Sequence, residues 1–539
     1  TVEAVINGVE TSWKMQPAEF LVRQAYQVIT QATATAGSLS WCSRSIWDYD
    51  GFMWVQAGLS SAVPVRIDRL TVTIPMRSRY CTMMHAVADD LRSNKAGTIP
   101  DGRGEVWNSA TVPKYRLNGK TIIEDGLIPY FWFGEEQRGI CWMVDNGKGF
   151  NLDGKLPQIR ISRPNTDEVV ARIDLINRPT ELKGMRELAF GLQATPVKPR
   201  PKNWRNWNLS LSETEKIPGM LNIGFCLHGI GLGKVSNCAA EPINEDYQFM
   251  NDIGRALKAR QPDAGAIKAF SDRIRPAYCE WMKKHEVSHQ PSYQRYKSGN
   301  ESYMELWLRF LDTYLNHSMA FTRTSDILVP YTDPRLQIVD TDVTGYFISE
   351  WWSPQAISYP GLYRTYLTSS NIDYMLYVFK KHLAAGFGGI YIDDTYIMPN
   401  NDFHSNTAIK EDGKIKPVMG LLAMRELIRR TAVLQQQMGI DPRLTIVHCT
   451  NTFIIPCFSF ADITYDWEMN YGARDFQDRF APDLIRTEST GLQSGTIGSV
   501  LGGIINANNL TGKAWAAEKI RLTRSALAVT LLHEIQINA

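Results

Sequence analysis

The sequence predicts a multidomain α and β protein, an N-terminal antiparallel β-sandwich followed by a (β/α)8-like TIM barrel. Three observations predict it. Most of residues 1–200 read as short apolar or alternating strands between turn signals. From about residue 206 onward, short apolar strands alternate with long amphipathic helices. Between the two textures lies 196–208, a stretch with three prolines and two tryptophans that reads as a boundary. At 539 residues the chain exceeds one ordinary core, which also requires more than one domain.

In the first part, 63–74, 127–133, 139–144 and 168–176 alternate or run apolar, as strands of a sandwich do. In the second, candidate strands are 221–227, 327–330, 345–349, 389–393, 444–448, 461–465 and 496–501. The helix expected over 371–385 places Ile372, Met375, Leu376, Phe379 and Leu383 on one face, and Gly386 suits its C-terminal cap. Helices over 419–438 and 512–531 complete the rhythm. A sandwich over 1–200 and a catalytic barrel over 206–539 are therefore expected. The ending at Ala539, directly after a barrel-like helix, suggests that a last strand or an accessory domain is missing.

Composition excludes several classes. A formal charge of +2 offers no attraction for nucleic acid. There is no apolar run of membrane-spanning length, so membrane insertion is not expected. The glycines of 229–234 lack the spacing of a phosphate loop, and no Cys-x-x-Cys pair occurs, so neither a cofactor nor a metal is expected. The eight cysteines read as buried free thiols. The chain opens on Thr1 rather than methionine, which fits a periplasmic or secreted protein whose signal segment is absent from this chain.

In a barrel, chemistry sits where strands end. The 389–393 strand ends in Asp393 and Asp394, followed by Thr395 and Tyr396. The 345–349 segment ends in Glu350, Trp351 and Trp352. The 461–465 strand ends in Tyr465, Asp466, Trp467 and Glu468, and the 444–448 strand in His448. Each has a plain structural reading: a rim ion pair for Glu350, a hydrogen-bonded core histidine for His448, a closed barrel top for the tryptophans. Their coincidence at equivalent places points instead to a sugar pocket. Asp393, Asp394, Glu468 and Glu350 are the candidate catalytic carboxylates. Trp351, Trp352, Tyr396, His448, Tyr465, Asp466 and Trp467 are the candidate substrate contacts. Crowded carboxylates raise the pKa of at least one, which suits a general acid. His285 and His289 form a His-Glu-x-x-His string, but Pro291 stops the helix and no third ligand is apparent, so a charged helix end is expected there.

The segments Ile128–Trp142, 190–199, Glu350-Trp351, Gly389–Asp394 and 459–462 together resemble a family of large bacterial proteins that carry a glycoside-hydrolase domain of undefined specificity. More distantly, the chain is similar to the family 123 exo-β-N-acetylgalactosaminidases. The resemblance implies a sugar 2-acetamido group polarised by Asp393, with Asp394 as general acid, although that family has Asp-Glu where this chain has Asp-Asp. The resulting expectation is a glycosidase acting on an oligosaccharide or glycoside. Its alternatives are direct retaining or inverting hydrolysis by Asp394 with Glu468 or Glu350, and a non-catalytic carbohydrate-binding protein.

Overall fold

The computed structural model describes residues 1–88, 95–113, 116–117, 120–123, 125–210, 217–226, 276, 279, 297–298, 325–338, 347, 350–351, 353, 362–384, 386–400, 408–449, 452–468, 480–501 and 512–538. Two antiparallel sheets form the N-terminal part. One has seven strands, with Val65–Arg77 at its centre between Val2–Ile6 and Glu168–Ile176. The other has ten and runs from Lys95–Thr98 through Tyr130–Glu135, Arg138–Met143, Arg186–Thr195, Met53–Ser61 and Leu39–Asp48 to Gln27–Ala36.

Alternation explains which face each residue takes. Five consecutive residues of Tyr130–Glu135 are buried, Tyr130 through Gly134, and a strand buried on both faces must be covered twice. Phe131 stacks with Trp107 of the seven-stranded sheet at 5.9 Å and with Phe133 at 5.3 Å. Tyr130 and Trp132 point the other way. Their side belongs to an apolar cluster that continues into the helices Leu421–Gln437 and Ile455–Phe458 of the second part. The ten-stranded sheet is thus the middle layer of the molecule.

Polar contacts pin the same junction. Arg425 of helix Leu421–Gln437 is almost wholly buried and reaches Asp48, the last residue of strand Leu39–Asp48, at 2.9 Å and Asp50, in the turn after it, at 2.8 Å. Burial opposes the Arg425 charge, but the two aspartates outweigh it and raise its pKa. Asp145, following strand Arg138–Met143, accepts the amides of Leu421 (2.7 Å) and Leu422 (3.2 Å), so the sandwich caps a barrel helix.

The second part is a nearly closed parallel barrel of eight strands: Trp207–Ser210, Leu221–Cys226, Ile327–Thr332, Ile390–Ile392, Thr445–His448, Ile463–Asp466, Ile497–Leu501 and Gln536–Asn538. The first and last approach each other, and the Gln536 side chain donates to the Trp207 carbonyl at 2.7 Å. Leu209, Ile223, Val329, Tyr391, Ile446, Ile463 and Ile497 cluster together, one from each of seven strands, as a barrel interior requires. Gly386 has φ +106° and closes helix Ser369–Ala384, and a Cβ on Gly389 would meet the Leu444 carbonyl at 2.5 Å, so strand four starts at a close backbone approach.

One expected strand is corrected. Within 345–349, Phe347 is helical, as are Glu350 and Trp351 beyond it. Phe347 and Trp351 are four apart and stack at 4.8 Å, the spacing of one helix face, and Trp351 packs onward against Tyr374. Strands one and eight, each of three or four residues, were not among the expected ones. Of the described cysteines, Cys42 is exposed and Cys81, Cys141, Cys279, Cys449 and Cys457 are buried free thiols. Among the described residues no helix is long and apolar enough to cross a membrane.

Candidate active site

Strand four carries its acidic pair to the C-terminal edge of the barrel, between strands three and five. The Asp393 amide still bonds to the Thr332 carbonyl at 2.8 Å, and the ladder then ends. Asp394 takes φ +53°, a left-handed conformation that aspartate tolerates, and its amide donates to Asp393 Oδ1 at 2.8 Å. Neighbouring strand residues face opposite ways, so this turn is what aims the two carboxylates at different partners.

Asp393 meets strands three and five. Tyr331 Oη donates to its Oδ2, and His448 Nδ1 lies 3.0 Å from its Oδ1. Burial pushes the Asp393 carboxyl up, but His448, Tyr331 and Arg364 outweigh it and hold the group below the usual carboxylate range. Asp394 pairs with Arg364 of the short strand Leu362–Arg364.

His448 ends strand five and is buried. Tyr391 Oη lies 2.8 Å from Nδ1, and Glu468 Oε2 lies 3.2 Å from Nε2. Burial disfavours the charged imidazole, yet Asp393, Glu468 and Asp466 overcome it and raise its pKa above the ordinary 6.5. Glu468 reaches this point because Trp467, next after strand six, turns the chain with φ +74°. A tryptophan there is strained, and such strain is held in place by packing: the Trp467 ring is fully buried, stacks on Phe480 at 4.0 Å and donates from Nε1 to Ser489 Oγ at 2.9 Å.

Tyr331, Asp333 and Arg364 are groups in this cluster that were not singled out from the sequence. Asp333 directly follows strand three, just as Asp393 follows strand four. Burial raises its pKa to about 6, the Asp393 charge adds to the rise, and Arg364 and the Arg335 amide (2.9 Å) oppose it. The strand-end rule applied to 327–330 would have found it, since Asp333 and Pro334 follow that strand within a few residues. Arg364 carried no comparable signal, because it lies in a three-residue strand of a two-stranded sheet.

The remaining expected site residues are placed as follows. Glu350 lies away from Asp393 and accepts the Ser370 hydroxyl at 2.6 Å, in the first turn of helix Ser369–Ala384. Trp351 is fully buried, with Nε1 on the same hydroxyl at 2.8 Å. The Tyr396 carbonyl accepts from Arg335, and its ring is buried. Tyr465 is buried edge-on to His448, ring centres 5.5 Å apart. Asp466 is buried with Ser489 Oγ at 3.4 Å. Trp352, His285 and His289 lie outside the described residues. No cluster of three or more metal-ligating side chains occurs among the described residues.

No family model matches the chain, and no curated protein matches it in sequence. Solved structures do match. An α-galactosidase from Lactobacillus brevis shares 9% identity at a TM-score of 0.37, over 99% of this chain and 73% of that one. A glycoside hydrolase family 36 α-galactosidase from Geobacillus stearothermophilus, in complex with raffinose, shares 8% at 0.39, over 99% and 76%. An α-galactosidase from Thermus thermophilus, in complex with p-nitrophenyl α-D-galactopyranoside, shares 9% at 0.33, over 99% and 90%. These findings correct the resemblance read from sequence. No family model supports membership of the bacterial glycoside-hydrolase-domain family, and the structural likenesses are to family 36 α-galactosidases, not to family 123 exo-β-N-acetylgalactosaminidases.

Proposed function

We propose that this chain is a glycoside hydrolase that cleaves an oligosaccharide or glycoside between the carboxylates of Asp393 and Glu468. One observation carries the reading: two carboxylates from the ends of barrel strands four and six stand on either side of one buried imidazole. Glycosidases divide their chemistry between two such groups, one ionised and one exchanging a proton. Asp393, held anionic, is the group that faces the anomeric carbon. Glu468, the more exposed of the two, protonates the departing oxygen. Asp333, with a pKa near 6, stays largely neutral in mildly acidic solution and spares Asp393 a second buried negative charge. Asp394 is held by Arg364 and accepts sugar hydroxyls at the rim.

The test is a panel of nitrophenyl glycosides of both anomers, run on the wild type, Asp393→Asn and Glu468→Gln. The wild type cleaves at least one member, and each variant loses roughly 10² to 10⁴ in kcat while still binding that sugar. A wild type that binds sugars across the panel and cleaves none is a carbohydrate-binding protein, and the hydrolase reading then fails.

A further inference from the structure

Among the described residues, His448 lies against both carboxylates. Its Nδ1 is 3.0 Å from Asp393 Oδ1, and its Nε2 is 3.2 Å from Glu468 Oε2, within ion-pair reach though not aligned as a hydrogen bond. The ring cannot swing away. It is buried, it meets Tyr465 and Tyr391 edge-on at 5.5 and 6.1 Å, and Tyr391 Oη sits 2.8 Å from Nδ1. A neutral imidazole has one N–H and could satisfy only one of two anions, whereas an imidazolium has two. Building a rigid donor between two acids therefore costs least when the ring is charged.

We propose that His448 is a positioning residue that shares one proton with Glu468 through Nε2 while Nδ1–H holds Asp393 in register. The inference rests on the hydrolase reading for its consequence, though not for its chemistry. In the working cycle the proton passes from Glu468 to the glycosidic oxygen as the C–O bond breaks, leaving the pair one proton short. The hydrolytic water gives its hydroxyl to the sugar and its proton back to the pair, so the sum is sugar plus alcohol. Throughout, Asp393 keeps its hydrogen bond from Nδ1.

The groups that face the imidazole all bear on its charge. Strand three contributes Tyr331 and Asp333 beside Asp393, and Arg364 lies beyond them. Strand four contributes Tyr391 and Asp393, and the His448 strand itself continues into Cys449. Strand six contributes Tyr465, Asp466 and Glu468. The tyrosine and cysteine pKa values on this face are pushed up by burial and by the neighbouring anions, so these groups stay neutral. The acids that surround the ring thus stabilise its cation, in the sense of the raised His448 pKa.

Two measurements test this, and one needs no substrate. In protein labelled with ¹⁵N-histidine, the Nδ1 and Nε2 resonances of His448, assigned by their loss in His448→Gln, titrate with a midpoint above 6.5. Glu468→Gln lowers that midpoint by about one unit. An unmoved midpoint in Glu468→Gln overturns the shared proton. Should His448→Gln fail to fold, the resonances are assigned by the response of Asp393→Asn, which lowers the same midpoint. The second measurement uses whichever nitrophenyl glycoside is cleaved: His448→Gln lowers kcat by roughly 10² with KM changed only a few-fold, and it moves the alkaline limb of kcat/KM to lower pH. A variant whose alkaline limb coincides with that of the wild type refutes the role. If no glycoside is cleaved while the Glu468→Gln titration shifts as expected, the hydrolase reading falls and the bridge stands.

Discussion

Asp333→Asn isolates the electrostatic cost stored in the barrel top. Burial lifts the Asp333 pKa from 3.8 to about 6, with the Asp393 charge adding to the rise. A group that binds its proton more tightly folded than unfolded contributes stability below the unfolded value and loses it as pH rises through the folded one. The cost of the displaced Asp333 pKa to stability is therefore about 2 kcal/mol at pH 5 and about 3 kcal/mol at pH 7.5. Asparagine keeps an acceptor for the Arg335 amide, now at 2.9 Å, and removes the charge. The variant should gain about 1 kcal/mol more over the wild type at pH 7.5 than at pH 5. Urea unfolding at the two pH values measures this difference through the shift in midpoint. The same stability difference at both values would show that Asp333 does not titrate in this range, and the account of the Asp333–Asp393 pair would be refuted.

Two further outcomes are expected. Arg425→Met strips the buried partner from Asp50 and Asp48 at the sandwich–barrel junction, and it should destabilise by about 3–5 kcal/mol, with Asp50→Asn recovering part of the loss. Urea midpoints check this, and a cost below about 1 kcal/mol would show that the apolar contact alone holds the junction. Glu350→Gln leaves turnover of a cleaved glycoside within a few-fold of wild type, because Glu350 lies on Ser370 and not on Asp393; a loss of two orders of magnitude would return it to the chemistry.

The candidate site was legible in part. Asp393, Glu468 and His448, which the structure brings together, could be singled out because strand ends can be read from short apolar runs. Trp351, Tyr396, Tyr465 and Trp467, expected as substrate contacts, are buried among neighbours. A ring of that size gains roughly 1.5–3 kcal/mol or more from leaving water, which favours the interior. Phe347 and Trp351 show a limit of local pattern in secondary structure: a five-residue apolar run fits a strand or a helix, and packing against Tyr374 accompanies the helix.

By itself the sequence determined the order of sandwich and barrel, the helix that closes at Gly386, and the acids at the ends of strands four and six. All of these follow from periodicity and capping within a dozen residues of chain. Only the tertiary structure decided which neighbours each acid meets. Tyr331 and His448 reach Asp393 from residues 62 and 55 positions away, and Arg364 claims Asp394 from 30 positions away. Carboxylates of one residue type are distinguished by such neighbours, because burial and opposing charge set which of them stays ionised, and neither is written in local pattern.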